Sequence, residues 1–206
     1  MAKTPRRGFL QQATRAAAAL SGGHCGDPRQ GTDLLEPLRA LRPQADTVRV
    51  ASYLETQQTI NPYAPAAHFQ TNLFLPQLSP AAIAGIDAAT KEAPPNTRVF
   101  IVPLYGAVSR VGVSDTAFPL RHPGYELDLM GRWTDPAQRS NAVAWVKALR
   151  DTLRPLARGV YVNQLGETSD DLVRTAYGSN YARLVEIKRK YDPKNVLRLN
   201  QNLSPA

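Results

Sequence analysis

Apolar residues recur along the chain at two spacings, which separate predicted helices from predicted strands. The leucines between Gly31 and Leu41 follow the helical period, so this segment places one face on a core. Ser79-Pro80 supplies an N-cap and a first-turn proline for a second helix, and a third helix runs from Asp135 or Pro136 to Leu153. We expect Tyr53-Leu54 to be extended or turn-like, and the region around Pro62 and Pro65 to be a loop.

Alternating and β-branched runs predict the strands. They cover Phe69 to Phe74, Arg98 to Leu104 and Tyr125 to Trp133, and Ala107 to Val111 is the expected hairpin partner of the second strand across Tyr105-Gly106. These strands form an antiparallel sheet, and the helix ending at Leu153 covers one face of it. The predicted class is therefore α+β.

The C-terminal segment predicts one more helix and an extended tail. Asn180 is a candidate N-cap, and apolar residues from Tyr181 to Ile187 follow at helical spacing. Basic residues in the last turn suit the helix dipole, and Asp192-Pro193 ends the helix. The tail then carries Asn200, Gln201 and Asn202, whose side chains both donate and accept hydrogen bonds.

Length and charge limit the classes of function. With 206 residues, 43% of them hydrophobic, the chain can bury a sizeable core. Its net charge of +8 is spread without a long basic run, which argues against nucleic acid as a partner. One cysteine, Cys25, and three scattered histidines give no spacing typical of a metal site, and no apolar run approaches the roughly 20 residues of a membrane span. We therefore predict no metal, no nucleic acid and no membrane insertion.

Residues 1–22 differ in character from the rest of the chain. Arg6-Arg7-Gly8-Phe9-Leu10 resembles a twin-arginine export motif, and a short apolar run from Ala16 to Leu20 follows it. Arg15 interrupts the apolar region, which is shorter than the roughly 7 to 15 residues of a signal peptide. Both a cytoplasmic and an exported location stay open.

Two carboxylates share one face of the third strand. Alternation places Glu126 and Asp128 on the side opposite to Leu127 and Leu129. Their Cβ atoms lie about 7 Å apart, close enough for one carboxyl pKa to rise if both groups are shielded from water. From the residues alone a solvated sheet face is the commoner explanation.

The chain from Gly22 to the tail resembles the berberine-bridge-enzyme-like family of FAD-linked oxidases. The motifs that carry the resemblance are Gly26-Asp27, Thr116-Ala117-Phe118-Pro119-Leu120-Arg121, Gly159-Val160-Tyr161-Val162-Asn163, and the run from Tyr177 to Leu203. They match the second half of a family member, and the family's FAD-binding half is missing from the sequence. The resemblance implies a substrate-binding α+β domain at 23–158 and a flavin-contacting segment at 159–206.

What the resemblance implies for the site is specific. Tyr161 corresponds to the tyrosine that approaches the flavin and takes the substrate proton, and Glu126 and Asp128 face the substrate. Tyr161 and Asn163, on one strand face, contact FAD together with Asn200 and Gln201. A phenol titrates near pH 10, so Tyr161 would need assistance as a base. Three hypotheses stay open. The chain is part of an FAD-dependent oxidase of alcohols, sugars or natural products that works with a separate FAD-binding chain. Alternatively, it is an inactive remnant of such an enzyme, or a stand-alone small-molecule-binding protein.

Overall fold

A computed structural model describes residues 26–40, 42, 46, 48–60, 66–167 and 169–205, with the backbone alone at 57–60. The export-like segment 1–22, Cys25, and the loop around Pro62 and Pro65 lie outside these residues. The chain divides into two compact units, residues 1–64 and 65–206. In the described part of the chain no helix is both long and apolar enough to cross a membrane.

The first unit contains two described helices, α1 (Pro28–Arg39) and α2 (Tyr53–Ile60). Asp27 caps α1 by accepting a hydrogen bond from the Arg29 amide. The expectation that Tyr53-Leu54 is extended or turn-like is wrong, because the residues around it form a capping box. The Glu55 carboxylate accepts the Ser52 amide at 2.8 Å, and the Ser52 hydroxyl accepts the Glu55 amide at 3.3 Å. This reciprocal pair starts α2 at Tyr53.

The second unit is built on a three-stranded antiparallel sheet. Its strands are β1 (Ala67–Leu75), β2 (Thr97–Leu104) and β3 (Gly124–Trp133), in the spatial order β1-β3-β2. Asp128 of β3 lies opposite Asn72 of β1 and Phe100 of β2. The α+β class and the three strand positions are confirmed.

Two helices cover one face of this sheet. They are α3 (Pro80–Lys91), which begins with the predicted Ser79 cap, and α4 (Arg139–Leu153), which follows a 3₁₀ turn at Pro136–Gln138. The core between helices and sheet includes Leu73, Leu75, Leu127, Leu129, Val146, Leu149 and Leu153. Gly131 allows the close approach of α4, because a Cβ there would lie 3.0 Å from the Ala142 carbonyl oxygen. Burial of the Leu127 and Leu129 face leaves the alternate residues of β3 on the opposite face.

The predicted hairpin partner at Ala107 to Val111 is wrong. Gly106 has a positive φ of 71°, and Gly106–Arg110 forms a 3₁₀ helix that the Ser109 hydroxyl closes onto the Gly106 carbonyl at 3.1 Å. The antiparallel partner of β2 is β3. The segment that follows β2 therefore acts as a connection to the central strand.

The free edge of β1 is covered by residues 158–166. Phe74 donates its amide to the Gly159 carbonyl at 2.9 Å and accepts the Arg158 amide at 2.8 Å, and Gly166 donates to the Gln70 carbonyl at 2.8 Å. A Cβ at Gly166 would lie 2.6 Å from that carbonyl oxygen. This segment therefore brings Tyr161 to the sheet.

Two helices and a tail complete the second unit. They are α5 (Asp170–Tyr177) and α6 (Tyr181–Tyr191), joined by a 3₁₀ turn at Gly178–Asn180. The position of α6 and its end at Asp192 confirm the sequence prediction, and Asn180 occupies the N-cap position, but its side chain makes no capping hydrogen bond. Its backbone is helical, and its side-chain amide donates instead to the carbonyls of Val113 and Thr116, at 2.7 and 3.1 Å.

Candidate functional site

The face of the sheet opposite α3 and α4 carries Glu126 and Asp128; we refer to it as the open face. Asp128 is only 7% exposed, so this part of the face is not simply wet. Burial raises the pKa of Asp128 from 3.8 to about 6, against an opposing effect of His68. Burial also raises the pKa of Glu126, and the nearby Asp128 charge adds to that rise. Both carboxyl groups contain a buried oxygen without a hydrogen-bond partner, Oε1 and Oδ1 respectively.

Asn72 joins this carboxyl pair to Tyr161. Asn72 is fully buried and lies directly opposite Asp128 in the β1–β3 ladder. Its Nδ2 donates to the Tyr161 carbonyl at 2.7 Å, and its Oδ1 accepts the Tyr161 amide at 2.5 Å. The main chain of Tyr161 is thereby attached to the strand beside the one that bears Asp128. Sequence reasoning missed Asn72, although an asparagine before the apolar run Leu73-Phe74-Leu75 is an unusual buried position.

The Tyr161 ring has two further contacts. Asn163 Nδ2 donates to the phenol oxygen at 2.8 Å, and the Phe118 ring meets the Tyr161 ring edge-to-face at a centroid distance of 5.6 Å. The prediction that Tyr161 and Asn163 share a strand face is wrong, because Val162–Gln164 is a 3₁₀ helix and pairing with β1 is reduced to a single bridge between Phe74 and Gly159. The two side chains nevertheless lie within hydrogen-bond distance of each other.

Arg121 has a structural role in this region. Its guanidinium donates to the carbonyls of Phe118 and Val108 at 3.1 and 3.2 Å and to the Thr116 hydroxyl at 2.5 Å. It also lies over the Phe118 ring, 4.9 Å from the centroid. Arg121 therefore fixes the loop that presents Phe118 to Tyr161.

The C-terminal tail returns to the turn that follows Tyr161. Gln201 Nε2 donates to the Leu165 carbonyl at 3.1 Å. The residues next to this hydrogen bond, Gln164 and Asn202, each hold a buried amide oxygen without a partner. Asn200 is exposed with a φ of 61°, and its carbonyl accepts the Asn202 amide at 2.9 Å. The structure thus places Gln201 and Asn202, two of the amides noted in the tail sequence, beside the Tyr161 turn, and it adds Gln164, which was not among the predicted site residues.

Other features of the described chain do not add to this site. No group of three or more His, Cys, Asp or Glu side chains suited to a metal is present among the residues that the structure describes. A shallow groove of about 210 Å³ lies between residues 114–117 and the first turns of α6, where Arg183 donates to the Ser114 carbonyl at 2.9 Å.

Comparison with protein families identifies the C-terminal segment. Residues 160–204 match the family described as "Berberine and berberine like". Two FAD-linked oxidoreductases of Bacillus subtilis (strain 168) are similar in sequence. YgaK is 31% identical over 190 residues, which cover 89% of this chain and 42% of YgaK, and YvdP is 37% identical over 107 residues, 52% of this chain and 24% of YvdP. The chain spans less than half the length of these relatives.

The fold is also that of a solved structure. Berberine bridge enzyme from Eschscholzia californica superposes with a TM-score of 0.75 at 17% identity, over 98% of this chain and 52% of that enzyme. The match includes the sheet and the C-terminal segment that together hold Tyr161, Asp128 and the tail amides.

Proposed function

We propose that this chain, which belongs to the berberine-bridge-enzyme-like family of FAD-linked oxidoreductases, forms the substrate-binding and C-terminal part of an FAD-dependent oxidase. One observation carries the proposal: the Asn72 side chain connects Tyr161 to the strand pair that bears the buried carboxyl group of Asp128. Residues 23–158 would bind the substrate and residues 159–206 would contact the flavin.

The amides of the C-terminal segment fit the polar edge of a flavin ring. That edge presents carbonyl oxygens, ring nitrogens and an N–H group, so it needs both donors and acceptors. Gln164 and Asn202 offer buried amide oxygens that lack a donor, on either side of the Gln201 hydrogen bond to Leu165. A buried acceptor without a partner costs about 1 to 3 kcal/mol, which a bound N–H group would relieve. These residues, with Asn163 and Asn200, would hold the ring.

Bound FAD would supply the hydride acceptor for oxidation of an alcohol, a sugar or a related natural product. The chain's own residues would place the substrate and take its proton. Tyr161 would accept that proton as its phenolate, and the N–H that Asn163 donates to the phenol oxygen would stabilise this deprotonated form. Asp128, with a pKa of about 6, is mostly ionised near neutral pH and provides a second proton acceptor, and Glu126 lies beside it.

We propose as partner an FAD-binding segment, on the same protein or on a separate chain. Four large apolar side chains at the end of α6 and the start of the tail are 70 to 86% exposed: Tyr191, Val196, Leu197 and Leu199. Large apolar side chains exposed this close together in the sequence favour an interaction site. The relatives that share this region carry more than half of their length elsewhere and are FAD-linked, which supports a flavin-binding partner.

FAD titration of the purified chain tests the flavin site. We expect reversible binding that is lost on desalting, because the amides contact only the ring. The variant Asn202→Ala should weaken binding, whereas Asn141→Ala, at an exposed position of α4, should not. Binding that Asn202→Ala leaves unchanged would overturn the assignment of the tail amides to the flavin site, and no binding by the wild-type chain alone would show that FAD binding requires the partner segment. Flavin that survives denaturation would show a covalent attachment, contrary to the weak hold we expect.

Turnover is tested in a reconstituted enzyme, which is this chain with saturating FAD and the part of YgaK that lies outside the matched region. Anaerobic bleaching of the flavin by a panel of alcohols and sugars reports oxidation of the substrate. Bleaching that depends on this chain supports the oxidase proposal. A reconstituted enzyme that binds FAD but oxidises nothing in the panel would favour the inactive-remnant reading.

A further inference from the structure

The main chain of Tyr161 is held by a side chain where backbone pairing would be expected. At Phe74, β1 exchanges two main-chain hydrogen bonds with residues 158 and 159. Two residues earlier on β1, the Asn72 side chain donates to the backbone carbonyl of Tyr161 and accepts from its backbone N–H. A primary amide can present an N–H donor and its carbonyl oxygen on the same side, as a single residue of an antiparallel strand does, so it can replace a strand partner.

The reason for this replacement lies in the turn that follows. Val162–Gln164 forms a 3₁₀ helix, and the chain meets β1 again only where Gly166 donates to the Gln70 carbonyl. Between these two points the segment has left the ladder. A residue shorter than asparagine at position 72 would leave both main-chain groups of Tyr161 without these partners.

We infer that Asn72 is a positioning residue that holds Tyr161 in register with Asp128 and so keeps the two proposed proton acceptors in one rigid arrangement. Asn72 is fully buried, and Asp128 is its cross-strand partner. Directly opposed side chains in an antiparallel ladder have Cβ atoms about 5 Å apart. This inference rests on the proposed function, because Asn72 would act through Tyr161 and Asp128, which are the proton acceptors of that function.

The same arrangement explains the choice of an amide at this position. An aspartate would place a third carboxylate beside Asp128 and would lose the donor to the Tyr161 carbonyl. An alanine would remove both hydrogen bonds and leave space. Asn72→Ala is therefore the direct test, and Asn72→Asp tests the electrostatic part.

The first experiment is amide hydrogen exchange by NMR on the full chain without flavin. In Asn72→Ala, exchange at the Tyr161 amide should rise about tenfold or more, the change expected for the loss of one hydrogen bond. Thr71→Ala is the matched control, since Thr71 is the buried neighbour whose side chain points to the opposite face. Unchanged exchange at Tyr161 in Asn72→Ala, or an equal rise in Thr71→Ala, would overturn the inference.

The second experiment uses the reconstituted enzyme. Asn72→Ala should lower kcat about tenfold or more while KM stays within about twofold, because misplacing a reacting group affects the chemical step. Suppose that Tyr161→Phe inactivates the enzyme, whereas Asn72→Ala speeds exchange at the Tyr161 amide but leaves kcat unchanged. That result would refute the positioning role of Asn72 and leave the proposed function standing. Full activity of Tyr161→Phe would instead overturn the proposed role of Tyr161, and the inference with it, although the hydrogen bonds themselves would remain measurable by exchange.

Discussion

Asn163 donates a hydrogen bond from Nδ2 to the phenol oxygen of Tyr161 across 2.8 Å, although the two residues lie in a turn and not on a strand. The Asn163 side chain is exposed, whereas Tyr161 is half-buried. The contact therefore lies on the accessible side of the phenol, where a substrate would approach.

The first prediction concerns this pair. In the reconstituted enzyme, Tyr161→Phe should reduce kcat about 100-fold or more, because proton transfer by a positioned group contributes at least that factor. Asn163→Ala should reduce kcat about tenfold in the wild-type background and have no effect in the Tyr161→Phe background, since the oxygen that accepts its hydrogen bond is then absent. Tyr53→Phe is the control, as Tyr53 is 78% exposed in the first unit. A further loss in the double variant would show that Asn163 acts independently of Tyr161.

The second prediction concerns the pH dependence of stability. The pKa of Asp128 is raised by burial from 3.8 to about 6, so the folded chain binds a proton more tightly than the unfolded chain. Its contribution to stability is fully present below pH 3.8 and is lost as pH rises through about 6. Asp128→Asn should therefore raise the free energy of unfolding at pH 7, by up to about 3 kcal/mol, and flatten the dependence between about pH 4 and pH 6.

Urea denaturation of both chains at several pH values measures this effect. Asp151→Asn is a suitable control, because that carboxylate lies at the surface of α4. An Asp128→Asn variant that is less stable than the wild type at pH 7 would contradict the prediction. Glu126, whose pKa is also raised, should retain a smaller dependence of the same sign in the Asp128→Asn variant.

The third prediction concerns Asn180, which attaches the start of α6 to the loop at residues 113–116. Replacing it with alanine removes the donors to the carbonyls of Val113 and Thr116 from a buried position. We expect a loss of about 1 to 3 kcal/mol in the free energy of unfolding, measured by the urea midpoint. Asn141→Ala, on the exposed face of α4, should change it by less than about 0.5 kcal/mol. Equal effects of the two substitutions would rule out the attachment.

The fourth prediction concerns the end of α6. Asp192 accepts Lys188 Nζ at 2.5 Å and the amides of Val196 and Leu197 at 2.8 and 3.0 Å. The Lys188 hydrogen bond and these amides lower the pKa of Asp192 below 3.8. The support of the tail is therefore present above pH 3.8 and is lost as pH falls through the lowered pKa. In Asp192→Ala, exchange at the Val196 and Leu197 amides should increase at neutral pH.

A matched pair on α3 serves as control for the Asp192 experiment. Asp87 and Lys91 have the same four-residue spacing at 2.7 Å but are largely exposed. Asp87→Ala should leave amide exchange in the tail unchanged, since an exposed pair contributes little. NMR shifts of the Val196 and Leu197 amides should follow the Asp192 titration in the wild-type chain. Shifts that do not change down to the unfolding pH would contradict this role of the carboxylate.

Much of the second unit was predictable because its signals are local. Alternation gave the three strands, and Ser79-Pro80 gave the start of α3. The same alternation placed Glu126 and Asp128 on one face. The start of α2 was also readable in principle, because Ser52 and Glu55 have the capping-box spacing. The segment after Tyr105 could not be assigned in this way, since β2 paired with a strand twenty residues further on.

The sequence by itself therefore determined the strands, most helices, the family motifs and the candidate residues, because each depends on the order of neighbouring side chains. Only the tertiary structure decided which of these candidates meet. The burial that raises the pKa of Asp128, the hydrogen bonds from Asn72 to Tyr161 across 89 positions, and the return of Gln201 to Leu165 all depend on contacts between distant segments. Such contacts are set by packing of the whole sheet and its covering segments, which no local pattern encodes.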